Sequence, residues 1–242
     1  MTKKILPFLL LVAMCFVALF SCKKSSKSTV DATLNYFPLT LGKYVTYAVD
    51  SVYYIDTSCE RYEIKSQMKY SITDTITYNK KPSYMMDVFS RPYDGADWKH
   101  INVIIITPSP EGLLYFQDNC KYIKMVFPVA NGVSWFGNKY VQVQAPLYSY
   151  LDGWQYAYSN YHLSYNNGLV NFDNTVTVVE NSQNINYPNV DSAVNAVSTY
   201  AKEVYAWNVG MIYKEWTHTT YKADTSKCLK GYRVVMRAID YN

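Results

Sequence analysis

The sequence predicts an all-β protein: a single antiparallel curved sheet, partly closed as a barrel or folded as a sandwich, with at most one short helix. Three observations predict it. Tyrosine supplies 26 of the 242 residues, and tyrosine with the β-branched residues suits a pleated, half-buried surface. Apolar and aromatic runs of strand length recur along the chain. Between them stand Asp94-Gly95, Asn131-Gly132, Asp152-Gly153 and Asn167-Gly168, pairs that accept the positive φ of tight hairpin turns. Such turns between short strands point to an antiparallel meander rather than to βαβ units.

The chain starts before the sheet does. Lys3 and Lys4 precede an uncharged run of sixteen residues, Ile5 to Phe20. A helix needs about 20 residues to cross a hydrocarbon core of about 30 Å, so this run reads as the apolar region of a secretory signal. The signal ends at Leu19-Phe20-Ser21-Cys22 followed by Lys23-Lys24. Those residues resemble a lipobox, the cleavage motif of bacterial lipoproteins. The resemblance implies that Cys22 carries a diacylglyceryl group and becomes the first residue. Cys15 fits less well, because bulky Met14 precedes it. Each buried acyl methylene contributes about 0.8 kcal/mol and one chain is marginal, so the two or three chains of a lipoprotein hold permanently. Lys23, where enteric bacteria place an inner-membrane-retaining Asp, favours the outer membrane by analogy. The predicted organisation is a signal peptide over 1–21, a lipid-anchored tether over 22–34 and one β-rich domain over 35–242.

Processing changes the charge and cysteine counts. The whole chain has 23 basic and 19 acidic residues, a net charge of +4. Loss of Lys3 and Lys4 with the signal leaves 21 basic residues, and setting aside the tether lysines Lys23, Lys24 and Lys27 leaves 18. The basic balance therefore belongs to the leader and the leash. A nucleic-acid footprint would need a basic face on the domain, so no nucleic-acid partner is expected, whereas lysines beside a lipid anchor suit anionic head groups. Of five cysteines, Cys59, Cys120 and Cys228 remain in the domain. The exported compartment permits disulfides. Three cysteines allow one internal bridge at most, and spacing selects no pair.

The strand reading runs in order from Tyr44. YVTYAVDSVYYI opens the sheet, followed by RYEIKSQMKYSI, DTITY, SYMMDVF and INVIIIT. Val103 to Ile106 is continuously apolar, which predicts burial on both faces. YIKMVF, KYVQVQA, WQYAY, YHLSY and NTVTVVE come next. VQVQ and TVTV alternate at period two, the mark of a sheet with one wet face. Ala193, Val194 and Val197 lie near helical spacing behind the cap candidates Asp191 and Ser192, so a short helix is expected at about 191–198. MIYKEWTHTTY is the last strand read. The hairpin before it admits two registers. A three-residue loop Asn208–Gly210 with Gly210 left-handed sets Glu203 opposite Glu215. A two-residue loop of Asn208 and Val209 pairs Lys202 with Glu215 and Glu203 with Lys214. Like charges directly opposite destabilise a sheet, so charge favours the second register and turn chemistry the first.

Three segments carry a resemblance: YFPLTLGKYVTYAVDSVYY (36–54), KMVFPVANGVSWFGN (124–138) and AKEVYAWNVGMIYKEW (201–216). They resemble a family of Bacteroidota-type secreted lipoproteins that share a Pro-Leu-x-x-Gly opening and a Val-Gly-x-Ile-Tyr-Lys-Glu stretch near the end. The resemblance implies a β-rich envelope domain and carries over no catalytic or binding residue.

Reactive motifs are scarce. Glu215-Trp-Thr-His218 spells the ExxH of di-iron helices, but residues three apart on a strand point to opposite faces. Glu203 and Glu215 would suit a retaining glycosidase at about 5 to 5.5 Å, which the second register forbids by giving each a lysine. Asp94 and Asp97 lack the spaced oxygens of a calcium loop. No nucleotide loop or nucleophile elbow occurs. No catalytic residue, metal ligand or cofactor is therefore assigned. The dense aromatics Trp154, Tyr156 and Tyr158 share a strand face; exposed they would stack on glycans, and buried they are sheet packing. The reading is a lipid-anchored envelope protein that binds or organises rather than catalyses, its partners the membrane through the N-terminal lipid and a glycan or envelope protein. A glycan-binding surface lipoprotein would show an exposed aromatic row near 154–165. A carrier of lipid or another apolar ligand would show a cavity lined by residues such as Val103, Ile105 and Met125.

Overall fold

The computed structural model describes residues 34–186 and 193–242. Cys22, the signal, the tether up to residue 33 and the start of the expected helix at 191–198 lie outside the described residues. Twelve strands form one sheet. They are β1 (Tyr44–Ile55), β2 (Glu60–Tyr78), β3 (Lys81–Arg91), β4 (Lys99–Ser109), β5 (Gly112–Gln117), β6 (Cys120–Val126), β7 (Ser134–Trp135), β8 (Tyr156–Asn166), β9 (Asn171–Ile185), β10 (Ala196–Ala206), β11 (Gly210–Tyr221) and β12 (Leu229–Tyr241). All pairings are antiparallel. The all-β antiparallel expectation holds, and the curved sheet is a nearly closed barrel rather than a sandwich.

The strand order is β6-β5-β4-β3-β2-β1-β12-β11-β10-β9-β8-β7. β1 and β12 meet in the middle, so two arms run outward and their ends, β6 and β7, face each other across a seam. The seam is stitched. The Ile123 amide donates to the Gly137 carbonyl at 2.8 Å. Trp135 Nε1 donates to the Ile123 carbonyl at 2.8 Å. The Tyr158 hydroxyl donates to the Val126 carbonyl and accepts from its amide, both at 3.0 Å. Edge groups that would otherwise recruit another chain are used up here.

Cys59 and Cys228 form the one internal bridge, with Cα atoms 5.1 Å apart. It ties the β1–β2 turn to the β11–β12 connection at one end of the barrel. Cys120 is a buried free thiol.

Several expectations change. RYEIKSQMKYSI and DTITY are one strand, β2, with Thr73 as the extra residue of a bulge between the Ile72–Met86 and Asp74–Met85 pairs. KYVQVQA is not a strand. Turns close it, with Val141 N donating to Asn138 O and Ala145 N to Gln142 O, and Val141 is buried. Ile104 and Ile106 point inward and are fully buried, while Val103 and Ile105 are only half-buried, so the INVIIIT run is covered on one face. Thr175 and Thr177 are buried with Val176 and Val178, so TVTV has no wet face. Residues 196–198, expected at the end of a helix, begin β10, because they pair with β11 and β9. GLLYFQ and LKGYRVVMRAIDY are strands that the sequence reading passed over. Two tight hairpin turns also lack glycine: Asn79-Lys80 and Asp118-Asn119 all adopt left-handed φ near 50–60°.

The β8–β9 hairpin explains the covered outer face. Left-handed residues Asn160, His162 and Asn174 interrupt its strands, and its tip folds back over β10–β12. There the Tyr165 ring meets Tyr213 at 5.5 Å, and Lys202 sits 4.9 Å from the Tyr213 centroid. Asn167, 2% exposed, donates to the carbonyls of Ile212 at 3.3 Å and Ala238 at 2.9 Å. Its own carbonyl accepts from Leu169 and Val170.

Candidate functional site

The interior of the barrel holds a cavity of about 270 Å³ lined by nine tyrosines, among them Tyr47, Tyr70, Tyr115, Tyr122 and Tyr156. Charged side chains reach it because three β-bulges put them there. A bulge adds one residue to one strand and re-aims its side chain.

On β6, Lys124 is the extra residue between the Leu113–Met125 and Leu114–Ile123 pairs. On β9, Glu180 is the extra residue between the Ala201–Asn181 and Lys202–Val179 pairs. On β11, Ile212 is left over between Val204–Tyr213 and Tyr205–Met211. That third bulge resolves the hairpin. Gly210 is left-handed at φ +104, as turn chemistry requires, and the extra residue restores the pairs Glu203–Lys214 and Lys202–Glu215 that charge requires. One more residue in the ladder satisfies both demands.

The result is a buried charge network. Lys124 Nζ lies 3.0 Å from Glu180 Oε1 and 2.7 Å from Glu203 Oε1. Lys214 Nζ lies 3.1 Å from Glu203 Oε1. The Tyr205 hydroxyl donates to Glu203 Oε2. Both glutamates are 1% exposed. Burial works against a charge on Glu203, but the ammonium groups of Lys124 and Lys214, with the donated hydrogen bonds, outweigh it and hold the carboxyl at about 2. Burial dominates at Glu180 and raises its carboxyl despite Lys124. Burial opposes the charge on Lys124 as well, yet its two carboxylate partners push it above the ordinary lysine value. Glu180 Oε2 is buried with no hydrogen-bond partner among the described residues.

Aromatic groups narrow the two ends. At the end where the chain enters, Phe37 meets Tyr115 at 6.4 Å and Tyr205 at 5.9 Å. The Asn208 amide donates to the Asn35 carbonyl at 2.7 Å, which docks this segment on the β10–β11 turn. At the other end the segment between β7 and β8 folds inward. Tyr150 stacks on His218 at 4.2 Å, shares a hydrogen bond of 3.1 Å with Tyr232 and meets Trp154 at 6.0 Å. Between these aromatic groups the wall is mixed. Phe37, Val45, Ile72, Met86 and Met211 supply apolar wall, and Lys124, Glu203 and Lys214 supply its charges.

Donors face this space. Among the described residues the hydroxyls of Tyr70 and Tyr115 make no hydrogen bond with the protein, although both line the cavity. Burial first, with Glu203 adding to it, raises both phenols, Tyr70 to about 12 and Tyr115 well above its ordinary value, so each stays protonated and donates at neutral pH. Lys214 spends one N–H on Glu203 and keeps two.

The sequence-derived candidates fall out differently. Trp154, Tyr156 and Tyr158 are buried at 4%, 1% and 2% exposure, so no solvent-facing row exists there for a glycan; Tyr158 stitches the seam and Tyr156 lines the cavity. Val103, Ile105 and Met125 are not in the cavity wall, because alternation turns the first two outward and the Lys124 bulge displaces the third. Glu203 and Glu215 are on opposite faces. Glu215 pairs outside with Arg233 at 2.8 Å, so the two carboxylates never converge. His218 points inward, away from Glu215, as strand alternation dictates. Lys124 and Glu180 were not anticipated; the available signal was a charge inside an otherwise apolar run, as in Tyr-Ile-Lys-Met-Val-Phe. The three family-like segments supply Phe37, Tyr47, Lys124, Glu203, Tyr205 and Lys214 to the cavity or its network.

No protein-family model and no curated protein matches the chain. Among the solved structures similar to it are two of bacterial origin. One is an exported protein of Bacteroides fragilis described as having a YmcC-like fold, 15% identical, with a TM-score of 0.31 over 84% of this chain and 98% of that one. The other is a lipoprotein of Parabacteroides distasonis, 13% identical, with a TM-score of 0.27 over 84% of this chain and 98% of that one.

Proposed function

We propose that this chain is a lipid-anchored protein of the bacterial cell envelope, held at the outer membrane through Cys22, whose barrel interior binds a small molecule without transforming it. The observation that carries the binding part is the tyrosine-lined cavity with two unpartnered phenol hydroxyls. Unused donors in a concave aromatic space are the features of a small-ligand site. Binding is favoured over catalysis because Glu203, the best-placed carboxylate, is saturated by two lysines and a tyrosine. A carboxyl held near 2 is a weak general base at neutral pH. The anchor rests on the lipobox-like Leu-Phe-Ser-Cys.

Native mass spectrometry of the protein extracted from its own membranes tests both halves. A mature mass that begins at an acylated Cys22, together with a small adduct released on unfolding, is expected. A Cys22→Ser variant should lose the acyl mass and leave the membrane fraction. An unprocessed amino terminus would overturn the anchor, and an interior that retains no small molecule under any extraction would overturn the binding reading.

A further inference from the structure

We infer that the cavity is a site for a small monocarboxylate with an apolar or aromatic body, its carboxylate held by Lys214, Tyr70 and Tyr115. The inference rests on the binding reading above and assigns the ligand's chemistry. Three observations converge on it. First, beside Glu203 the cavity presents donors: the hydroxyls of Tyr70 and Tyr115 and the N–H groups of Lys214 that its one ion pair, to Glu203 at 3.1 Å, leaves over, with the Trp216 ring 5.0 Å from the ammonium. Hydrogen bonds from an ammonium to a carboxylate are among the stronger ones available. The acceptor side is already spent, since Glu203 Oε1 takes both lysines and Oε2 takes Tyr205. A cationic ligand would therefore find no free partner at Glu203, and the other carboxylate of the wall, Asp118, already accepts from the Asn102 amide at 2.8 Å.

Second, the wall fits one negative charge and not two. Among the described residues no arginine lines the cavity, so the bidentate fork that suits phosphate is missing from them. Glu203 and Asp118 in the same wall repel a dianion. Third, part of the same wall is apolar. Phe37, Ile72, Met86 and Met211 line it, and a ring or short chain would rest against them. A volume of about 270 Å³ lies just under the ~300–1,000 Å³ of drug-sized sites, which limits the ligand to a small acid.

The test uses the mature lipoprotein in detergent, titrated calorimetrically against three probes of one shape: 3-phenylpropionate, 3-phenylpropanol and 3-phenylpropylamine, with empty micelles as the blank. The acid is expected to bind at least tenfold more tightly than the alcohol, and the amine not at all. Lys214→Met should weaken the acid at least tenfold and leave the alcohol unchanged. Tyr115→Phe, which removes one hydroxyl and keeps the ring, should weaken the acid severalfold, so the result stands even where the lysine variant folds poorly. Equal binding of acid and alcohol would overturn the carboxylate assignment and leave the cavity a neutral-ligand site. Preference for the amine would also overturn it. Binding of none of the three would overturn the assignment and count against the interior as a ligand site.

Discussion

Replacing Glu203 by Gln tests whether the buried network holds the barrel together. Gln keeps the shape and removes the charge. Glu203 is 1% exposed and sits 2.7 Å from Lys124 and 3.1 Å from Lys214. Its carboxyl is held at about 2 against an ordinary 4.5. At about 1.4 kcal/mol per pH unit, that difference corresponds to about 3 kcal/mol of folding stability at neutral pH. The figure agrees with the ~3–5 kcal/mol lost when one partner of a buried ion pair is removed. The sign follows from the depressed carboxyl. The stabilisation is complete above the unfolded value near 4.5 and is lost as pH falls toward about 2. Urea unfolding of wild type and variant with the disulfide intact is the assay. A gap of about 3 kcal/mol at pH 7 that narrows steadily below pH 4.5 is expected. Glu180→Gln is the control. Its carboxyl is raised by burial, so the native state disfavours its charge, and the change should be neutral within about 1 kcal/mol. A Glu203→Gln cost below ~1 kcal/mol, or a gap that does not change with pH, would refute the reasoning.

Removing the Cys59–Cys228 bridge by a double Ser substitution should cost up to about 5 kcal/mol by chain entropy, because 169 residues separate the two cysteines; denaturant midpoints of variant and wild type measure it, and equal midpoints would contradict it. Asn167→Ala should destabilise by about 3 kcal/mol, at ~1–3 kcal/mol for each buried group left unsatisfied, since the Ile212 and Ala238 carbonyls lose their donor. Hydrogen exchange in that variant should rise first in the 160–174 hairpin tip, and unchanged exchange there would contradict its role as the clasp. Both variants should leave the seam intact, so Trp135 fluorescence should not shift before global unfolding.

Much of the fold was legible from residue types. Tyrosine and β-branched runs with interspersed Asn-Gly and Asp-Gly pairs dictated antiparallel strands, because those side chains favour a pleat and those pairs permit positive φ. The ExxH reading failed on strand period alone. The lone cysteine after an oily run determined the expected anchor without any fold. Other features needed the third dimension. VQVQ alternates like a strand, yet local turns and the burial of Val141 claim it for the folded-in segment between β7 and β8. The Cys59–Cys228 pairing was invisible because spacing says nothing of which hairpin ends lie side by side.

The sequence by itself set the strand chemistry and the expected compartment, and at the 203–215 hairpin it left charge, which favours Lys214 opposite Glu203, against turn chemistry, which favours Glu215. Only the tertiary structure decided where the charges go. A bulge sets two residues against one on the partner strand and so inverts the alternation that a sequence reader relies on. Lys124 and Glu180 turn inward for that reason, and Ile212 absorbs the mismatch that lets Gly210 turn and Lys214 pair. The buried network and the tyrosine cavity are products of ladder closure around the barrel, a property of no single segment.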